Sequence, residues 1–152
     1  MKTLDDWLEA YAVSHQNKTN KLIHYFCVPA IYFSIVGLLM SIPTGVLSKA
    51  NINEPVLVNW AVVVLIPIFI FYVRLSLKVA ILILLFSAIC VFANYQIAII
   101  ANLWAVSVVI FAIAWIFQFY GHHLEGKKPS FLKDIQFLLI GPAWILDALF
   151  KK

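Results

Sequence analysis

The sequence predicts an all-α integral membrane protein, a helical bundle of four transmembrane helices with an N-terminal amphipathic helix and a C-terminal interfacial or re-entrant helix. Its 152 residues are 64% hydrophobic and only 12% charged, with a mean hydropathy of +0.97, whereas soluble domains carry about 25% charged residues. Most apolar residues fall into four long runs, each close to the roughly 20 residues that a membrane-spanning helix requires. Together these observations predict a single multi-pass membrane domain over residues 1–152.

The first predicted element is a short amphipathic helix at residues 3–14, which would lie on the membrane surface or against the bundle. Thr3 can cap its first turn, and the acidic residues that follow suit the positive end of the helix dipole. The apolar side chains recur at helical spacing, at Leu4, Trp7, Leu8 and Tyr11.

Four predicted spans follow, at about 22–41, 56–73, 76–93 and 97–119. Short turns are expected at Arg74–Ser76, between the second and third spans, and at Asn94–Gln96, between the third and fourth. A last apolar run, at about 135–150, is short, is interrupted by Gly141-Pro142 and carries Asp147. We therefore expect it to form the interfacial or re-entrant helix and not a fifth crossing.

The basic residues indicate how the bundle is oriented. With a cytoplasmic N-terminus, nearly all lysine and arginine side chains fall on the cytoplasmic side and only Lys49 falls outside, which is the bias of the positive-inside rule. The lysines flank apolar runs, so the net charge of +4 indicates no nucleic-acid partner. We expect the lipid bilayer as the partner, in a bacterial inner membrane or, for a eukaryotic source, the endoplasmic reticulum; nothing in the sequence indicates an oligomeric state.

All four histidines lie in two clusters at the ends of the predicted bundle. His15 and His24 lie before and at the start of the first span, and His122 and His123 follow the fourth. Since an even number of crossings returns the chain to the side it left, the two clusters are expected to meet at the cytoplasmic surface. His15 and His24 would be half a turn out of phase on one helix, so they can share a centre only if the chain turns between them.

Polar residues accompany the first cluster. On a helix, Asn17, Asn20, Lys21 and His24 would share one face and form a polar stripe at the mouth of the first span. We expect the first three of these to contact a substrate or to orient the histidine rings through their second nitrogens.

The second cluster has a comparable set of polar residues. His122 and Glu125 are three residues apart and share a helix face, whereas His123 points about 100° away. Gln118, one turn before His122, could orient a ring, and Lys127 either anchors the helix at the membrane surface or holds a carboxylate headgroup.

The two clusters together predict a metal site. Neutral imidazole suits zinc, copper and iron, and two or three histidines with one carboxylate would leave open positions on Fe(II) for oxygen and a substrate. The candidate ligands are His15, His24, His122 and His123, with Glu125 as the carboxylate. The simpler alternative is that these histidines are interfacial anchors of a non-catalytic small membrane protein or transporter; a zinc hydrolase acting on lipid is another.

Three motifs resemble those of a known family. They are HxNxxNKxxHxxxxP from His15 to Pro29, QFxGHxxEGKKPSF from Gln118 to Phe131, and FLLIGPxW from Phe137 to Trp144. The pattern is similar to that of the small membrane family of 2-hydroxy fatty acid dioxygenases, and the similarity covers nearly the whole chain.

That resemblance implies an Fe(II)-dependent enzyme that uses O2 to shorten a 2-hydroxy fatty acid by one carbon, the reaction of fatty acid α-oxidation. It implicates His15, His24 and His122 as the catalytic histidines, while His123 falls at a variable position. Glu125 stands one residue closer to the motif histidine than in the eukaryotic pattern, so a supporting role is as well indicated as a role as ligand. The acyl chain would lie between the spans, against walls formed by Trp60, Phe69, Phe86, Trp104, Phe111 and Trp115.

Overall fold

The computed structural model describes residues 2–47, 56–129 and 136–150, and within these ranges every regular element is an α-helix. This confirms the all-α class. The six helices are α1 (Leu4–Ala12), α2 (Lys18–Met40), α3 (Trp60–Leu75), α4 (Leu77–Ile100), α5 (Leu103–Glu125) and α6 (Phe137–Phe150). Residue 135, where the last apolar run was expected to begin, lies outside the described ranges, as does Lys49.

Three helices, α2, α4 and α5, are long and apolar enough to cross a membrane. The predicted second span corresponds to α3, whose 16 residues extend over only about 24 Å, less than the roughly 30 Å of a hydrocarbon core. Its Ala61 nevertheless packs with Val36 of α2, and its Tyr72 donates a hydrogen bond to the Leu139 carbonyl of α6. Thus α3 reaches both ends of the bundle, but a fourth crossing stays a prediction.

The expected turn at Asn94–Gln96 was wrong, because α4 continues through it to Ile100. Asn94 is fully buried, and its side-chain amide donates to the Phe33 carbonyl of α2 at 3.1 Å and to the Cys90 carbonyl at 2.9 Å. An asparagine whose side-chain NH2 group is held by carbonyls within the bundle no longer favours a turn. The chain instead turns at Ala101 and Asn102, where the Asn102 side chain caps α5.

Helices α2 and α5 run antiparallel and form the most extensive contact of the bundle. Gly37 of α2 meets Ser107 at the start of α5, and Asn20 of α2 meets Gly121 near its end. This arrangement places the N-terminal end of α2 beside the C-terminal end of α5, which is the arrangement that the two histidine clusters required.

Helices α1 and α6 pack together at the same end of the bundle. The cap predicted at Thr3 is present and is part of a capping box, with Asp6 accepting from the Thr3 backbone at 2.7 Å. The apolar face of α1 is buried against Ile140 of α6, through Trp7, Leu8 and Tyr11. Between the end of α1 and the start of α2 the chain turns, and this turn carries the first histidine.

Candidate metal centre

Three histidines from separate parts of the chain meet at this end of the bundle. The ring centroids of His15 and His24 are 4.3 Å apart, those of His24 and His122 are 4.9 Å apart, and those of His15 and His122 are 5.1 Å apart. One ring nitrogen from each lies within 4.8 Å of the other two, and all three side chains are buried. Three ring nitrogens grouped this closely could hold one metal ion.

The turn between α1 and α2 brings the first two histidines together. Asn17 caps α2, and its side-chain oxygen accepts from the backbone of Thr19 at 2.8 Å and of Asn20 at 3.2 Å. His15 precedes this cap and His24 follows in the second turn of α2. The chain thus changes direction between them, as their spacing required.

Backbone hydrogen bonds determine which ring nitrogen of His15 and of His24 is available to bind an ion. Nδ1 of His15 lies 2.6 Å from the Tyr11 carbonyl, and Nδ1 of His24 lies 2.9 Å from the Asn20 carbonyl. A carbonyl oxygen only accepts, so both Nδ1 atoms carry the proton and both Nε2 atoms keep a lone pair. A second hydrogen bond of this kind is the usual support of a metal-bound histidine.

Two buried histidine nitrogens are left without hydrogen bonds to the described part of the chain, Nε2 of His15 and Nδ1 of His122. Burial lowers the pKa of His15 below its ordinary value, and the charge of nearby Lys21 lowers it further. A neutral, unpaired imidazole in an apolar setting is costly as a structural feature and well suited to binding a metal. The donor set therefore fits a divalent ion such as iron or zinc.

Glu125 holds the turn that carries His15. Its Oε1 accepts from the Gln16 backbone at 2.8 Å, and its Oε2 accepts from the Asn17 backbone at 2.8 Å and from the Asn20 side chain at 3.0 Å. Both oxygens are therefore engaged, and Glu125 is not among the residues grouped around the common centre. The geometry is that of a positioning residue.

Lys127 contacts the same turn. Its Nζ donates to the Val13 carbonyl at 2.7 Å, so the last residue of α5 and the segment just after it hold the turn at two points. The neighbouring cation Lys128 and the ring of His123 are exposed. His123 does not join the other histidines, because it lies a third of a turn from His122 on the outer face of α5.

Sequence reasoning missed three contributors. The Tyr11 ring stacks on His15 with centroids 4.1 Å apart, and Trp144 of α6 packs beside it at 5.6 Å. A Cβ at Gly121 would lie 2.5 Å from the Asn20 side-chain oxygen, so only glycine lets α5 approach α2 here. Gly121 and Trp144 do fall at specified positions of the motifs, and Tyr11 stands four residues before His15.

A cavity of about 80 Å³ begins at the three histidines and continues between α2, α5 and α6. Gln118, one turn from His122, lines it and is only 6% exposed. Deeper in the bundle its walls are apolar, and of the six aromatic residues expected to contact an acyl chain only Trp115 lines it.

The chain matches the family described as "Mpo1-like: 2-hydroxy-palmitic acid dioxygenase Mpo1-like" over residues 1–152. It is 30% identical over 146 residues to 2-hydroxy-palmitic acid dioxygenase MPO1 of Saccharomyces cerevisiae. That alignment covers 93% of this chain and 76% of the yeast protein. No solved structure matches the chain significantly.

Proposed function

Because this chain belongs to the Mpo1-like family, we propose that it is an iron(II)-dependent dioxygenase that shortens 2-hydroxy fatty acids by one carbon. The observation that carries the proposal is the group of three buried histidines, two of them with an unpaired ring nitrogen, at the head of an apolar cavity. The yeast relative is named for activity on 2-hydroxy-palmitic acid, a substrate with one polar end and one long apolar chain.

His15, His24 and His122 are the proposed ligands. Iron(II) bound by them would keep open positions at which O2 and the carboxylate and hydroxyl oxygens of the substrate can bind. The overall reaction balances when one 2-hydroxy acid and one O2 give the acid one carbon shorter, CO2 and water. The C1–C2 bond breaks, the two carbons are oxidised, and O2 is reduced.

The other residues of the site hold the histidines in place and orient the substrate. Glu125 and Lys127 keep the His15 turn against α5. The Nδ1 hydrogen bonds of His15 and His24 leave their Nε2 atoms free to bind the ion. Gln118 makes no hydrogen bond with the described residues, so its amide is available to the substrate carboxylate or hydroxyl. The apolar walls beyond it exclude water and accept the acyl chain, which orients the C1–C2 bond at the centre.

The proposal includes a location. The positive-inside bias places the N-terminus and the histidines at the cytoplasmic face of the membrane, of a bacterial inner membrane or, in a eukaryote, the endoplasmic reticulum. Cysteine substitution with a membrane-impermeant thiol reagent tests it: Glu9→Cys should be labelled only after cell disruption.

The decisive experiment is metal analysis of protein purified without oxygen. We expect about one iron per chain in the wild type and in His123→Ala, the matched control, and loss of iron in His122→Ala. The iron-loaded protein should then consume O2 and release the shortened acid only from 2-hydroxy acids. Zinc with oxygen-independent activity would favour a hydrolase, and no metal after iron loading would contradict the proposal.

A further inference from the structure

The cavity below the histidines is polar at one end and apolar at the other. Along α2 its lining runs from His24 through Val28 and Ile31 to Ile35, a separation of eleven residues and about 16 Å of helix. On the antiparallel α5 it descends from His122 to Trp115. The polar groups are at the upper end and the apolar ones below, which is the order of groups in a fatty acid bound by its carboxyl end.

The lower part of this cavity opens sideways. The three grouped histidines, His15, His24 and His122, are at most 6% exposed. By contrast, Ile35 on α2 is 40% exposed and Leu138 on α6 is 41% exposed. Ile35 lies well inside a helix that is long and apolar enough to cross a membrane. An isoleucine at that depth faces lipid, so the opening between α2 and α6 leads to acyl chains and not to water.

We propose that the substrate enters from the bilayer through the opening between α2 and α6, and that its acyl tail passes beside Ile35 and Leu138 into the lipid while its carboxyl end lies at the histidines. This inference rests on the proposed function and adds the route and the bound orientation of the acid. It follows that only an acid long enough to reach the opening contacts these two side chains. Carbons beyond the opening are surrounded by lipid before and after binding.

The test compares a long acid with a short one. Ile35→Trp and Leu138→Trp fill the opening from opposite walls, and Ile116→Trp is the matched control, since Ile116 is 67% exposed on α5 and does not line the cavity. The purified proteins are reconstituted in phosphatidylcholine nanodiscs, and kcat/KM is measured for 2-hydroxypalmitic acid and 2-hydroxyoctanoic acid. Dividing the kcat/KM of each variant by that of the wild type for the same acid removes the effect of the different partitioning of the two acids into the bilayer.

We expect at least one wall variant to lower kcat/KM for the long acid by about tenfold or more, the size of effect that overfilling a packed apolar site produces. For the short acid in every variant, and for both acids in the Ile116→Trp control, kcat/KM should change less than about twofold. Retained activity on the short acid also shows that the variants are folded. Equal effects on both acids in both wall variants, or no effect on either, overturn the inference.

Binding distinguishes this inference from the proposed function. Equilibrium binding of radiolabelled 2-hydroxypalmitic acid is measured without oxygen in the same nanodiscs. If the wild type binds this acid but turns over neither acid, the proposed function fails, and a selective loss of binding in the wall variants still supports the opening. If the wild type turns over both acids and the wall variants match the control, the proposed entry route is refuted while the proposed function is supported.

Discussion

Replacing Glu125 by glutamine tests whether this residue positions a ligand or is one. The carboxylate accepts three hydrogen bonds, from the backbones of Gln16 and Asn17 and from the Asn20 side chain. A glutamine has one acceptor oxygen, which can keep the two bonds made by Oε2, while its NH2 group would face the Gln16 N–H. The variant thus loses one bond and the negative charge that strengthened the other two.

The size of the effect follows from these bonds. A hydrogen bond to a charged group contributes about 1.5–3 kcal/mol, and the lower value applies because Glu125 is partly exposed. The loss falls on the turn that carries His15. We expect iron affinity to fall by about 10- to 100-fold, the usual effect of removing a residue that supports a ligand.

Competition with a chelator measures that affinity, and Glu9→Gln, at an exposed glutamate on α1, is the control. If Glu125 positions the turn, saturating iron restores one ion per chain and most of the activity in Glu125→Gln, but restores neither in His122→Ala. A Glu125→Gln protein that stays folded yet binds no iron at saturation would show that Glu125 is a ligand and refute the reasoning. Unchanged affinity would refute it as well.

Three further predictions follow from single contacts. Gly121→Ala should lower the free energy of unfolding by about 1–3 kcal/mol, because the added methyl group overpacks the contact between α2 and α5. Thermal denaturation measures this change. Gly45→Ala is the control and should be neutral, since a methyl group there meets nothing within 4 Å. Lys127→Met should weaken iron binding a few-fold, since the Lys127 amine holds the turn that carries His15, and Lys128→Met is the control. A raised KM for the acid with unchanged iron affinity would instead show that Lys127 binds the substrate carboxylate. Asn94→Ala should lower the free energy of unfolding by about 0.6–1.7 kcal/mol, from the average to the maximum contribution of a hydrogen bond between membrane helices. Iron content should stay unchanged because Asn94 lies at the other end of the bundle, and loss of iron in the folded variant would contradict this.

The sequence alone determined the features that depend on composition and periodicity. A chain with 12% charged residues and four apolar runs, each close to the roughly 20 residues of a membrane-spanning helix, is expected to be helical, so the all-α class followed directly. The need for a turn between His15 and His24 followed from helical phase, and the structure contains that turn. The antiparallel arrangement that joins the two histidine clusters followed from the order of the apolar runs.

Only the tertiary structure decided how individual polar groups are used. Asn94 has the side chain of a turn residue, yet it lies inside α4 because the Phe33 carbonyl of a distant helix accepts its amide. Glu125 shares a face with His122 and could have been a ligand, but two backbone N–H groups more than a hundred residues away engage its oxygens. Partners of this kind are set by which helices pack together, and a local pattern carries no information about them.

The same reason explains the residues that sequence reasoning missed. Gly121 matters because α2 passes close to it, and Trp144 matters because α6 folds back over the first histidine. Helical phase could say that His122 and His123 point in different directions, but only the packing of α2 against α5 shows which of them faces the common centre. The sequence thus determined that a bundle forms with histidines at one end, and the tertiary structure decided which atoms meet there.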